Sequence, residues 1–356
     1  MLENLAIIVQ AESRLSLRNK VNQITSQLGE SLRVKELFLE PSKTEAVVST
    51  RRRYRGKNIR VLVTDHPVTP SSALKYLGVW FEENLSFSTH IREAIKKANT
   101  VFGVFAGLLP NTKGPSFLKR KLIYNAALSS LMYASPIWGE YGKKPSYRAK
   151  LTSCIRPFKR RLCCAYISVP NSALDVISGT PPIDLLIDER ASLANGVNRP
   201  DAKATLRSRW QDRWDAISES AWTRRLIPDL ESWLLRRHGD IDYYLCQFLS
   251  GHGLFKNYLF RRDLARDSLC PFCCLPDSPS HTFFACGAFL EERQSLQSEL
   301  GHIVDPDNIV NVMLKSESHW NSVMRFVRLV LTTKHLKMYP PVDIPKGAAG
   351  QSSTSN

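Results

Sequence analysis

Between residues 270 and 286 the chain carries Cys270-Pro-Phe-Cys273, then His281 after seven residues and Cys286 after four more. Three thiolates and an imidazole in the order Cys-x2-Cys-x7-His-x4-Cys can converge on one tetrahedral ion, because a two-residue gap lets a tight turn aim both sulfurs at one point. This spacing predicts a zinc knuckle with a structural Zn²⁺ held by Cys270, Cys273, His281 and Cys286. The alternative is four unrelated buried residues, a common fate for cysteine. Phe272, inside the first ligand pair, and Phe283-Phe284, before the last ligand, are either stacking surfaces for bases or the knuckle's own small core.

The remaining cysteines, Cys154, Cys163, Cys164, Cys246 and Cys274, form no disulfide-like frame, which suits a reducing, nuclear or cytoplasmic compartment. No run reaches the roughly 18 uninterrupted apolar residues of a membrane span, and Met1-Leu2-Glu3-Asn4 offers no basic region ahead of an apolar stretch. The 356 residues are enough for two or three domains with cores of their own. Lys and Arg number 49 against 33 for Asp and Glu, a net charge of +16, which points to a polyanionic partner, RNA or DNA first.

Along the chain, Leu5–Val9 has the length of a buried strand. Leu17, Val21, Ile24 and Leu28 fall on one helical face that Gly29 is expected to end. Leu37–Val48 reads as two strand-like stretches around a Pro-Ser turn, and 59–63 and Tyr76–Phe81 as further strands. From Ser86 the period becomes helical. Ile91, Ile95, Ala98, Phe102 and Phe105 trace one face; after the breaks at Pro110-Asn111 and Gly114-Pro115, a second helix carries Leu118, Leu122 and Ala126, with Met132 as a further candidate and Lys119, Arg120 and Lys121 at its start. Lys159-Arg160-Arg161 and Arg261-Arg262 again set cations beside aromatics, as a nucleic-acid-binding surface would, although each run alone also suits a solvated helix face. Residues 195–207 are polar and interrupted by proline, as in a linker. Trp210, Trp214, Trp222 and Trp233 read as core. His252, between glycines and without a recognisable catalytic partner, reads as part of a turn.

Several stretches in order resemble one family. Lys75-Tyr-Leu-Gly-Val-Trp-Phe, Leu85-Ser-Phe with His90-Ile91, Pro110-Asn111, Gly114-Pro115 and Tyr133-Ala-Ser-Pro-Ile-Trp-Gly139 resemble the region after the catalytic core in Pol polyproteins of non-LTR, LINE-type retrotransposons. Glu40-Pro-Ser-Lys43-Thr-Glu-Ala46 looks like a strand-turn-strand of the same reverse transcriptase palm. Gly179-Thr-Pro-Pro-Ile-Asp184, Glu189-Arg-Ala191, Trp222-Thr-Arg-Arg-Leu-Ile-Pro228, Ser250-Gly-His-Gly253 and the knuckle are similar to the arthropod R-one type, which inserts into ribosomal DNA.

The resemblance implies an α+β chain, a partial reverse transcriptase palm followed by a mostly helical thumb and C-terminal region with a small zinc knuckle. Its segments would be a palm remnant over 1–82, a thumb-like region over 83–194, a Trp-rich helical segment over 195–265, the knuckle over 266–290, C-terminal helices over 291–344 and a disordered tail over 345–356. Such polymerases carry Tyr-Ala-Asp-Asp before the strand corresponding to Leu5–Val9, since two-metal nucleotidyl transfer needs adjacent carboxylates to hold Mg²⁺. Here Met1-Leu2-Glu3-Asn4 stands instead. Mg²⁺ and polymerase or endonuclease chemistry are therefore expected of the full-length family protein, no residue of this chain is assigned to catalysis, and Lys43 is either a palm lysine or an exposed turn lysine. The implied function is a fragment of a retrotransposon RNA-directed DNA polymerase polyprotein that grips template-primer or target nucleic acid and partners the rest of the polyprotein. Alternatives are a host-expressed zinc-dependent nucleic-acid-binding protein derived from the element, or a C-terminal region contributing to endonuclease action.

Overall fold

The computed structural model describes residues 5–49, 60–63 and 66–340. In chain order its elements are α1 (Arg14–Arg33), β1 (Val61–Val63), β2 (His66–Val68), β3 (Ala73–Tyr76), β4 (Val79–Glu82), α2 (Ser88–Ala106), α3 (Phe117–Leu131), α4 (Ser135–Gly142) and α5 (Pro145–Leu162). Then follow α6 (Asn171–Ser178), α7 (Ile183–Ala194), α8 (Arg199–Asp215), α9 (Ala221–Leu226), α10 (Leu230–Leu235), α11 (Tyr243–Ser250), α12 (Lys256–Phe260), α13 (Leu290–Leu300), α14 (Ile309–Leu314) and α15 (Glu317–Met338). The fold is mixed but mainly helical. It divides into two compact units, Met1–Thr100 with Ser129–Leu151, and Val101–Leu128 with Thr152–Asn356.

In the first unit, Ser13 caps α1 by accepting from the Ser16 N–H. The helix does not stop at Gly29. Leu32 extends the stripe of Leu28 by four residues, and the chain turns only where Glu36 adopts φ 57° and the Leu37 N–H reaches the Leu32 carbonyl at 2.9 Å. Thr25, the buried residue of this helix, donates to the Leu62 carbonyl at 2.8 Å, and Asn22 accepts from the Leu62 N–H at 2.9 Å, which ties β1 to α1.

Strand pairing is sparser than the sequence suggests. β1 pairs antiparallel with β2, and β3 with β4. The run Tyr76–Phe81 is broken by Leu77-Gly78, with φ 45° and 83°, the left-handed pair that a two-residue hairpin turn demands. Leu5–Val9 is not a buried strand: Ile8 is 96% exposed, and no described strand lies beside it to satisfy its backbone. Leu37–Val48 forms a single 3-10 turn, Pro41–Lys43, capped by Glu40, and one isolated bridge from Val47 to Ser71; Lys43 is exposed. The carboxylate of Glu82, at the end of β4, accepts from the Ser88 and Thr89 N–H groups at 2.9 and 3.0 Å and so caps α2. Burial opposes this charge, but hydrogen bonds from Ser86, Thr89 and Ser88 pull the carboxyl down to about 2.

In the second unit the core is aromatic. Trp214, Trp233, Trp320, Phe248, Phe255 and Phe283 are fully buried. Each of these indoles satisfies its N–H on a carbonyl: Trp214 on Ile227, Trp233 on Val176 and Trp320 on Asp240. Trp210 is also core, whereas Trp222 is half-buried and donates to Phe248. Residues 195–207 are not a linker. Asn198 caps α8 and Pro200 occupies its first turn, where the missing N–H carries no penalty.

Helix α3 buries a different face from the one expected. Phe117, Tyr124, Ala127 and Leu131 face inward, while Leu118 and Leu122 are 66% and 70% exposed. Residues 1–4, 50–59, 64–65 and 341–356, which include the expected Met-Leu-Glu-Asn start, the first residue of the expected 59–63 strand and the tail, lie outside the described residues.

Candidate metal centre and cationic surface

The knuckle is built on a short hairpin. Leu269 bridges antiparallel to Pro276, the Cys270 N–H donates to the Leu275 carbonyl at 2.7 Å, and the Cys274 N–H to the Cys270 carbonyl at 3.0 Å. Closing so tight a loop forces Cys274 into the left-handed region at φ 58°, with its side chain exposed. The other two ligands frame a single wide helical turn, His281–Ala285, closed by the Cys286 N–H on the His281 carbonyl at 2.7 Å.

The four donor atoms lie within 4.8 Å of one another. The Cys270 and Cys286 sulfurs are 3.8 Å apart, those of Cys273 and Cys286 4.0 Å, and Cys273 Sγ is 3.2 Å from His281 Nε2. A tetrahedral zinc with Zn–S of about 2.3 Å sets its sulfurs about 3.8 Å apart. The donor set and its spacing therefore fit one zinc ion. None of the eight cysteines, all within the described residues, is in a disulfide, and of these Cys273 and Cys274 are exposed.

Around the cluster lies a set of contacts that spacing alone did not announce. Asp277, fully buried, accepts from Lys334 Nζ at 2.5 Å and from the Thr282 hydroxyl at 2.8 Å on one oxygen, and from the Lys256 N–H at 2.6 Å on the other. Lys334 comes from α15 and is itself fully buried. Arg293, on α13 and 8% exposed, donates to the Cys286 carbonyl at 3.2 Å. Three thiolates and a neutral imidazole around a divalent ion sum to one negative charge, and these cations lie where it would be compensated. Phe283 packs on Phe248, Phe255 and Phe326 and belongs to the core, while Phe272 is half-buried with its ring 5.2 Å from that of Phe289.

The cations expected to meet nucleic acid fall into two groups. Arg120 is buried, donating to the Pro115 carbonyl at 2.9 Å, the Arg161 carbonyl at 2.8 Å and the Pro110 carbonyl; it laces the 110–115 loop to the end of α5. Lys159 is buried too, 2.6 Å from Asp175 and donating to the Thr180 and Pro181 carbonyls. Burial opposes its charge and Asp175 overcomes that, so the ammonium is held charged within the fold rather than on its surface. Arg161 is half-buried and reaches the Leu109 carbonyl at 3.3 Å. Exposed are Lys119, Arg261 and Arg262; Lys121 and Arg160 are half-buried. His252 sits in the turn after α11 and shares a hydrogen bond of 3.0 Å with Ser168; burial, then Arg262 and Arg261, push it down to about 4, which leaves it neutral at pH 7.

The fold and site define a mixed, mainly helical protein with a Cys3His cluster suited to a metal. No protein-family model and no solved structure matches the chain. Its relatives are Pol polyproteins of R1-type non-LTR retrotransposons. One, a retrovirus-related Pol polyprotein from type-1 retrotransposable element R1 4 of Nasonia vitripennis, is 23% identical over 93% of this chain and 94% of its own length. A second Nasonia vitripennis R1 Pol polyprotein is 23% identical over 76% of this chain and 88% of its own length. A putative 115 kDa protein in element R1DM of Drosophila melanogaster is 23% identical over 82% of this chain, which spans 31% of that longer protein. Among the described residues no helix is long and apolar enough to cross a membrane.

Proposed function

We propose that the chain is a nucleic-acid-holding part of a retroelement Pol polyprotein, with residues 1–82 as the end of a reverse transcriptase palm, 83–194 as thumb, and one structural Zn²⁺ on Cys270, Cys273, His281 and Cys286. The observation that carries this reading is the likeness to R1 Pol polyproteins, which covers 93% of the chain in one relative. Its surface gives the reading a place to act. Arg261 and Arg262, both exposed, directly follow α12, whose first turn is held to the knuckle by the Lys256 and Asn257 N–H groups on Asp277. With Lys119 and Arg160 they supply cations for the phosphates of RNA or DNA, and the remainder of the polyprotein would supply the chemistry.

The test is fluorescence anisotropy of the whole chain with labelled single-stranded RNA and DNA across a salt series. Arg261→Gln with Arg262→Gln should weaken binding and lower the log-log salt slope by roughly 0.7 to 0.9 for each phosphate no longer neutralised. Affinity that is flat with salt would remove the reading. Elemental analysis should find one zinc per chain, and Cys273→Ser should abolish it and unfold the module, because the metal's binding free energy is that module's folding free energy.

A further inference from the structure

The second unit holds another cationic site, which shares no residue with the Cys3His cluster. It is a cavity of about 530 Å³ lined by the start of α3, the loop after α10 and the start of α15. Arg236, the first residue after α10, sets its guanidinium carbon over the indole of Trp233, 4.0 Å from the ring centre, and 5.4 Å from that of Trp320. Both indoles are fully buried and 5.7 Å apart, a rigid floor. Gly239, at φ 95°, lets the same loop press onto Trp320, since a Cβ there would stand 2.4 Å from the ring. The guanidinium is thus fixed before any ligand arrives. Among the described residues one of its five donors is used, on the Trp233 carbonyl.

Lys121 of α3 lines the same cavity. Among the described residues neither cation forms an ion pair, although Asp240 and Glu317 also line the wall. Burial pulls Arg236 down to about 10, and burial followed by Arg236 lowers Lys121. Two partly desolvated cations that line one cavity, neither held in an ion pair among the described residues, are costly unless an anion joins them. A planar guanidinium matches two oxygens of a phosphate at once, with the ammonium as a point charge on the same group.

We infer that this cavity receives a phosphate of a nucleic-acid strand, gripped by Arg236 and Lys121. The phosphate site stands on the cavity itself; that the phosphate belongs to a strand rests on the nucleic-acid reading above. Two measurements on the whole chain separate these. In thermal unfolding, inorganic phosphate should raise the melting temperature above chloride at matched ionic strength, both for the unaltered chain and for Arg261→Gln/Arg262→Gln, and should fail to do so for Arg236→Gln and for Lys121→Gln. In anisotropy, Arg236→Gln should weaken oligonucleotide binding and lower the salt slope by roughly 0.7 to 0.9, while Arg236→Lys, which keeps the charge without the fork, should keep the slope and lose part of the affinity. Identical melting of the unaltered chain in phosphate and chloride overturns the site. Stabilisation by phosphate with oligonucleotide affinity unchanged in Arg236→Gln and Lys121→Gln assigns the cavity to free phosphate compounds and overturns the strand. Stabilisation by phosphate in a chain that binds no oligonucleotide leaves the site and removes the nucleic-acid reading instead.

Discussion

Replacing Lys334 by Met tests whether the Cys3His cluster is held by α15 or merely lies beside it. Both members of the Lys334–Asp277 pair are fully buried. Removing one partner of such a pair leaves an uncompensated charge and costs about 3–5 kcal/mol. Asp277 keeps the Thr282 hydroxyl and the Lys256 N–H, so the lower end applies, ~3 kcal/mol. For a unit of this size that is a fall of roughly 6–12 °C in melting temperature. Asp277 lies between the second and third ligands, so the same variant should release zinc faster to a chromophoric chelator. Combining Lys334→Met with Asp277→Asn removes both charges; the amide oxygen still accepts from the Lys256 N–H and the amide N–H can donate to the Thr282 hydroxyl, so the double variant should recover at least about 1 kcal/mol of the loss. Melting of Lys334→Met within 2 °C (about 0.5–1 kcal/mol) of the unaltered chain, with full zinc content and unchanged release, would refute the argument.

Three further outcomes follow from local geometry. Cys274→Gly relieves a left-handed residue at φ 58° and should stabilise the chain by about 1 kcal/mol with zinc stoichiometry unchanged; loss of zinc would make Cys274 a ligand. Gly114→Ala places a Cβ 2.3 Å from Arg120 Nη2 and 2.6 Å from the Pro110 carbonyl, and should lower stability by about 1–3 kcal/mol in a urea titration, with no change arguing against the Arg120 lacing. Glu82, at about 2 against an ordinary 4.5, contributes stability that is present above pH 4.5 and lost as the pH falls from 4.5 towards 2; Glu82→Gln should flatten the melting curve of the first unit across that window, and an unchanged acid slope would count against the cap.

What the sequence announces depends on the range over which each feature is decided. The cluster is legible because its ligands are brought together by turns within seventeen residues, and their chemistry is in the residue names. The face of α3 is not. Leu118-Leu122-Ala126 and Phe117-Tyr124-Ala127-Leu131 both have helical spacing, and only the distant elements that cover one of them decide which is core. The same ambiguity hides Arg120 and Lys159 inside runs that read as solvated. Leu5–Val9 has strand composition, but a strand exists only with a neighbour, and that is not local information. Lys334 was readable in principle: Val323, Phe326, Val327, Val330 and Leu331 form the apolar stripe of α15, Lys334 continues it, and a lysine in a buried stripe requires a carboxylate.

The same buried aspartate joins the Cys3His cluster to the exposed arginines after α12. Asp277 takes the Lys256 N–H on its carboxylate and the Asn257 N–H on its carbonyl, two of the donors that the first turn of α12 leaves unpaired. A short helix of five residues cannot hold itself. Its direction, and so the placement of Arg261 and Arg262 at its far end, depends on where the knuckle puts Asp277. The Lys256–Asp267 pair at 2.5 Å adds a second tie to the residues just before Cys270. If zinc sets the knuckle, removing it should cost nucleic-acid affinity without any arginine being altered. Chelation should then lower the salt slope by about as much as Arg261→Gln/Arg262→Gln, roughly 1.4 to 1.8 if both contact phosphates, and should add little to that double variant. Equal losses on chelation in the variant and in the unaltered chain would mean that the cluster and α12 act separately, with the metal module touching the strand by itself.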